Sequence, residues 1–230
     1  MTEIREGADG WDQLVENLVN GGVLRSPRVI RAMKQAPRYC FLPERSIEYA
    51  SMDTPLPIGR GQTVSAPHMV AIMNEALELR VGHRVLEVGA GCGWHAATIA
   101  RVVAPEETPR TERGHVFTVE IVPELAKMAR ENILRLGFGD RVTVIHGDGS
   151  LGLPDSSPYD RILVTAAAPE VPPPLIKQLK SGGILIIPVG GVHLFQSLTR
   201  LRKESNGSTI EEKLGGVAFV PLVGSFGHRI

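Results

Sequence analysis

Three glycines, Gly89, Gly91 and Gly93, follow directly on a short apolar run, Arg84–Val88, and a helical pattern starts behind them at Trp94. Glycines at that junction let the backbone approach a ligand with no side chain intervening. The spacing is G-x-G-x-G, not the G-x-G-x-x-G of dinucleotide sites, where the helix N-terminus is aimed at a pyrophosphate. A nucleoside ligand without phosphate, such as S-adenosyl-L-methionine, suits this pattern. Glu120 ends the next apolar run, where a carboxylate can accept hydrogen bonds from both hydroxyls of a ribose. It lies further from the glycines than the ~20 residues of the dinucleotide pattern, and the polar segment 104–114 accounts for the surplus. Gly147, Asp148 and Gly149 close a third run, and Asp148 there can offer its carboxylate to an exocyclic amine such as that of adenine. Singly, each feature has a plain turn or a solvated carboxylate as its alternative. Together, in this order at three successive strand ends, they point to S-adenosyl-L-methionine as cofactor.

The acceptor side is read from what is missing. Residues 165–169 are TAAAP, with no polar group to orient a target nitrogen. Methyltransferases acting on amino groups often carry an Asn/Asp-Pro-Pro-aromatic motif at that place. A carboxylate acceptor fits better, because it is already ionised at neutral pH and needs alignment rather than deprotonation. His68 therefore has no proton to take and is read as structural. Ser65, two residues before Pro67, also suits an N-cap for the helix that follows. Cys40 and Cys92 are far apart, with no metal-ligand spacing, so neither a metal nor a disulfide framework is expected. Cys92 is read as a small buried thiol.

The elements that must carry these groups alternate. Apolar residues at helical spacing run from Trp11 to Val19 and stop at Gly21 and Gly22. Ser26 and Pro27 read as an N-cap and first helical residue, and Pro37 ends that helix. Residues 53–65 are dense in Pro and Gly and read as a structured loop. A further helix is predicted across Met69 to Leu77. Strands follow at Arg84–Val88, His115–Glu120, 141–146, 160–165 and 183–189, with helices at Trp94–Val103, 123–136 and 174–180 between them. That rhythm describes an α/β fold with a doubly wound, mostly parallel sheet. Two last strands are expected at 194–202 and 211–220, around a turn at 204–208. The segment 104–114 is read as a mobile, solvated linker.

The chain has 230 residues, 43% of them hydrophobic, which supports one well-buried domain. The single domain 1–230 divides into a helical lead-in with a substrate and cofactor loop (1–80), a cofactor-binding core (81–190) and C-terminal strands (191–230). Lys+Arg and Asp+Glu balance at 25 each, which argues against sequence-independent binding of nucleic acid. The polar N-terminus and the lack of any apolar run near ~20 residues argue for a cytoplasmic protein without a membrane partner. A monomer is expected.

Residues 53–69, DTPLPIGRGQTVSAPHM, closely resemble the signature loop of the protein-L-isoaspartate O-methyltransferase family. Residues 86–93 (LEVGAGCG), 165–169, 179–190 (LKSGGILIIPVG) and 216–222 (GVAFVPL) are similar to the family's other motifs, so the likeness runs from about residue 10 to 224. The resemblance implies a class I, Rossmann-like methyltransferase fold. It also implies methylation of the α-carboxylate of L-isoaspartyl residues in damaged proteins and peptides. The ester then collapses without enzyme to a succinimide, which hydrolyses partly to aspartate. By the same likeness, Ser65 is the catalytic residue that positions the carboxylate, and the backbone at Val220 helps hold the substrate. Gln62, Thr63, Val64 and Ser65 cover the methionine end of the cofactor. Gly89, Ala90 and Gly91 line it, Glu120 and Ile121 take the ribose, and Asp148 and Gly149 take the adenine. Cys92, Trp94 and His95 depart from the Ser, Tyr and Gln common in the family. The alternative is a methyltransferase of the same fold with another acceptor, a small carboxylic acid or an RNA nitrogen. A regulatory protein that binds the cofactor without turnover, or a nicotinamide dehydrogenase, fits the residues less well.

Overall fold

A computed structural model describes residues 2–192 and 195–229. The chain opens with helix α1 (Thr2–Asn20) and helix α2 (Pro27–Gln35). Proline at the first helical position pre-sets φ for α2. Ser26 stands at the cap, but its hydroxyl makes no cap bond. It donates instead to Glu75 Oε2 at 2.6 Å, tying the helix start to a distant element.

The Pro/Gly-dense stretch is not a loop. It folds into a hairpin of β1 (Leu56–Gly59) and β2 (Gln62–Val64), paired antiparallel. Arg60 (φ 54°) and Gly61 (φ 70°) form its two-residue turn, and positive φ at both central positions matches the twist of the strands. Leu56 and Ile58 face the core while Pro57 faces out, an alternation that the prolines hide in the sequence. Helix α3 (Pro67–Ala76) follows.

The main sheet holds β3 (Arg84–Val88), β4 (His115–Glu120), β5 (Val142–His146), β6 (Tyr159–Val164), β7 (Leu179–Val189), β8 (Gln196–Lys203) and β9 (Thr209–Val217). Their order is β5-β4-β3-β6-β7-β8-β9. The first five neighbours run parallel, and β8 and β9 add antiparallel strands at one edge. Helices α4 (Trp94–Val103), α5 (Pro123–Arg135) and α6 (Pro173–Gln178) make the crossovers. Strand residues alternate between two cores, one on each face. Val85, Ile184 and Ile186 pack on the side of α1, α2 and α4; Leu86, Val88, Leu185 and Ile187 pack with Leu175 on the other. The lead-in shares the first of these cores: Trp11 meets Trp94 edge-on at 5.6 Å, and Trp94 Nε1 donates to the Ala36 carbonyl at 2.8 Å.

The boundaries differ most from expectation towards the C-terminus. Strand β7 begins at Leu179, not 183, because Leu179 pairs with Tyr159 before a register shift, which shortens α6 to Gln178. Strand β9 ends at Val217, since the chain beyond leaves the edge and bridges to Ala167 through Pro221. The expected start of β8 at Leu194 lies outside the described residues.

The segment 104–114 is no free linker. Arg113 donates to the Thr108 carbonyl at 2.7 Å and the Glu106 carbonyl at 2.5 Å, and Arg141 to the Ala104 carbonyl at 3.1 Å. Arg101 reaches Glu106 Oε1 at 2.6 Å, so backbone carbonyls and one acid are gathered by three arginines.

Candidate active site

A cavity of about 370 Å³ opens at the C-terminal ends of β3, β4 and β6. Strand order reverses between β3 and β6, and in such sheets the crevice at that reversal takes the ligand. The hairpin covers one side and residues 220–223 form another wall.

The floor is the glycine loop. Gly89 sits at φ 98°, and a Cβ there would overlap Thr165 Oγ1. Thr165 is within hydrogen-bond distance of the Gly89 carbonyl, 2.9 Å, and of the Val88 carbonyl, 3.1 Å. Its hydroxyl therefore serves the loop, leaving the TAAAP segment without a polar group for a target nitrogen. From α5, Asn132 braces the same loop by donating to the Cys92 carbonyl at 2.9 Å and the Phe41 carbonyl at 3.0 Å. Cys92 is 1% exposed, and burial pushes its thiol up to about 11, so it packs rather than reacts.

Glu120 is 6% exposed and lines the cavity. Its Oε2 accepts from the Gly91 N–H at 2.9 Å and its Oε1 from the Val122 N–H at 3.0 Å. Each carboxylate oxygen has room for a second donor, so two vicinal hydroxyls can be met by a pre-aimed group. Behind it stands Glu87, which the sequence reading passed over as part of an apolar run. It is fully buried, Oε2 accepts from Thr118 Oγ1 at 2.5 Å, and Oε1 has no partner among the described residues. Burial, with Glu120 nearby, raises its carboxyl to about 8, so it is largely protonated at neutral pH.

Ser65 lines the cavity at the end of the hairpin. It is not the helix cap: α3 is capped at Ala66, and the Ser65 hydroxyl makes no hydrogen bond among the described residues. The capping comes instead from Asp53, whose Oδ1 accepts from the His68 N–H at 2.8 Å and lies 2.9 Å from His68 Nδ1. His68 is thus structural, as its chemistry suggested. From behind, Arg38 donates to the carbonyls of Ala50 (2.9 Å), Met52 (2.6 Å), Thr54 (2.8 Å) and Ser65 (3.3 Å). It is fully buried, and burial lowers its pKa to about 10, which leaves it charged at neutral pH.

Gln62, Thr63, Val64, Ser65, Gly89, Ala90, Gly91, Glu120, Ile121, Gly149 and Val220 all line the cavity. Asp148 does not. Its carboxylate accepts from Ser150 and from the Ser225 N–H. Trp94 and His95 line the cavity; His95 is 7% exposed, and burial pushes its pKa down to about 3, so it stays neutral, within 3.2 Å of Asn74 Oδ1. Asp53, Arg38 and Asn132 were missed by sequence reading. Each acts on a partner 15 or more residues away, and no local spacing signals such a contact.

The fold and the site together define a class I S-adenosylmethionine-dependent methyltransferase. The profile of the protein-L-isoaspartate(D-aspartate) O-methyltransferase family matches residues 10–227. A protein-L-isoaspartate O-methyltransferase of Hyperthermus butylicus is 54% identical over 217 residues, 94% of this chain and 90% of the relative. Its counterpart from Pyrococcus horikoshii is 49% identical over 229 residues, the full length of both. Among solved structures, a protein-L-isoaspartate O-methyltransferase aligns with a TM-score of 0.83 at 32% identity, over 94% of this chain and 66% of its own. A Plasmodium falciparum chain named as the same enzyme, solved with S-adenosyl-L-homocysteine, gives 0.78 at 29%, over 93% and 98%. The chain belongs to the protein-L-isoaspartate(D-aspartate) O-methyltransferase family.

Proposed function

We propose that this site transfers a methyl group from S-adenosyl-L-methionine to the α-carboxylate of L-isoaspartyl residues in damaged proteins and peptides, with Ser65 positioning the carboxylate. One observation carries the assignment of Ser65. Its hydroxyl has no hydrogen bond among the described residues, while the loop that bears it is fastened by Arg38 and by Asp53. A free donor on a rigid loop, beside a glycine-floored cavity, is what a carboxylate nucleophile needs from the protein.

The residues fit the cofactor. The Glu120 carboxylate is aimed by two backbone amides and has acceptor capacity left for a ribose. Gly149 lines the adenine end, and packing against Val88 leaves no room there for a side chain, since a Cβ would lie 2.5 Å from Val88 Cγ1. Gln62, Thr63 and Val64 cover the methionine end, and Ala90 and Ile121 complete the apolar walls. When bound, S-adenosyl-L-methionine would supply an electrophilic methyl on a sulfonium, leaving as the neutral thioether when a carboxylate oxygen accepts the methyl. The chain's task is alignment and the exclusion of water. No residue has to remove a proton, in keeping with a neutral His95 and a His68 committed to Asp53. The Val220 carbonyl is already used by the Ala167 N–H at 2.8 Å, so its backbone is a fixed edge against which the isoaspartyl peptide can lie. The chain acts as one domain, the lead-in included.

The test uses two synthetic peptides that differ only in aspartyl or L-isoaspartyl linkage, with methyl-labelled cofactor. Base-labile label on the isoaspartyl peptide alone is expected. Label on neither, with S-adenosyl-L-homocysteine bound, would move the acceptor to another carboxylic acid or to an RNA nitrogen.

A further inference from the structure

Asp148 is used by the chain itself. Its Oδ1 accepts from the Ser150 N–H at 2.9 Å and the Ser150 hydroxyl at 2.6 Å, and its Oδ2 accepts from the Ser225 N–H at 2.7 Å. Ser150 Oγ in turn accepts from the Phe226 N–H at 3.0 Å. Between these contacts Gly224 lies at φ +138°, so close that a Cβ would overlap Asp148 Oδ1 and stand 2.8 Å from Ser150 Oγ. A carboxylate has about four acceptor positions, and three are taken here. Upstream, the Leu222 N–H donates to the Ala167 carbonyl at 2.7 Å, opposite the bond from Ala167 N–H to Val220. The segment is therefore clipped at two places, and Val220 and Leu222 at the first, with Val223 between the two, line the cavity.

We propose that Asp148 and Ser150 are positioning residues that latch the segment 222–226. By one fastening they set both the cofactor wall at Leu222 and Val223 and the Val220 backbone beside the peptide. The inference rests on the reading of Val220 given above and deepens it. Cofactor and peptide then share a wall, so loosening the latch weakens both and leaves the chemical step, once both are bound, nearly untouched. The hydrogen bonds from Ser150 and Ser225 outweigh the upward pull of burial on the Asp148 carboxyl and hold its pKa below the ordinary range, so the latch stays closed at neutral pH.

The experiment is hydrogen exchange at the Ser225 and Phe226 amides of the full chain, alongside S-adenosyl-L-homocysteine titration and steady-state kinetics on an isoaspartyl peptide. Ser150→Ala leaves the Asp148 carboxylate in place, whereas Gly224→Ala keeps the residue but pushes the segment and the carboxylate apart. Losing one or two hydrogen bonds at ~1 kcal/mol each should speed exchange ~5- to 30-fold and raise KM for the peptide and Kd for S-adenosyl-L-homocysteine by similar factors. The kcat should stay within about 2-fold. If Asp148 served adenine alone, Ser150→Ala would leave exchange and peptide KM at wild-type values, and the latch would be overturned. Should Gly224→Ala not fold, Ser150→Ala carries the comparison. If the wild-type protein labels no isoaspartyl peptide, the acceptor assignment fails, while exchange and cofactor affinity still decide the latch.

Discussion

The Ser65 hydroxyl is available because other residues do the work it could have done. Helix α3 opens at Ala66, and the His68 amide is met by Asp53 from outside the helix. Substituting Ser65→Ala removes a donor to a charged oxygen, an interaction of ~1.5–3 kcal/mol, so methyl transfer should fall roughly 10- to 100-fold. The affinity for S-adenosyl-L-homocysteine, measured by calorimetry, should barely move; an equal loss in both would place Ser65 on the cofactor. At this scale, much was legible. Gly89 and Gly91 lie in the loop behind β3 and Glu120 ends β4, so local order alone puts them at strand ends. Asp148 was located too, but not the direction of its carboxylate, which is decided by Ser225, 77 residues later. Arg38 was invisible, because a buried guanidinium among carbonyls leaves no mark in spacing.

Among the elements, the parallel strands other than β7 were read to within a residue because runs buried on both faces are largely apolar. The hairpin was not, since Pro57, Gly59 and Gly61 break a pattern that only Leu56 and Ile58 uphold. It is so short that its own pairing cannot hold it, and Arg38 supplies the missing support. Arg38→Ala should therefore destabilise the protein by roughly 3–5 kcal/mol, leaving buried carbonyls without donors. Arg38→Lys keeps the charge but not the planar fork, so it should recover part of the stability while methyl transfer stays low. Urea unfolding and kcat on the same preparations would separate the two effects. Full activity in Arg38→Lys would show that charge, not geometry, holds the hairpin. The segment 104–114 was misread for a related reason: Arg101, Arg113 and Arg141 look like solvated charges until the fold brings them to one loop.

For the molecule as a whole, histidines that burial keeps neutral set the acid limit: His83, His95 and, in the same direction, His115. Burial pushes His95 down to about 3, and burial with Arg161 nearby pushes His83 down to about 4. In the unfolded chain both return to the ordinary value near 6.5. Below that value the unfolded state binds protons that the folded state refuses, so stability is full above pH ~6.5 and declines as pH falls towards 5. Urea midpoints between pH 7 and 5 should show this slope, and His95→Gln should flatten part of it; an unchanged slope would mean that His95 titrates normally. Among the described residues no helix is long and apolar enough to cross a membrane.

The wall of the cavity draws on residues from Ile58 to Val223, and its fastening reaches Ser225 and Phe226. A ribosome that had released everything up to Val217 would already have made every strand of the sheet, yet the vessel would stand open on one side. Uptake of S-adenosyl-L-homocysteine is therefore a census of finished molecules, whereas circular dichroism, which sees helices and strands, would count the unfinished ones as well.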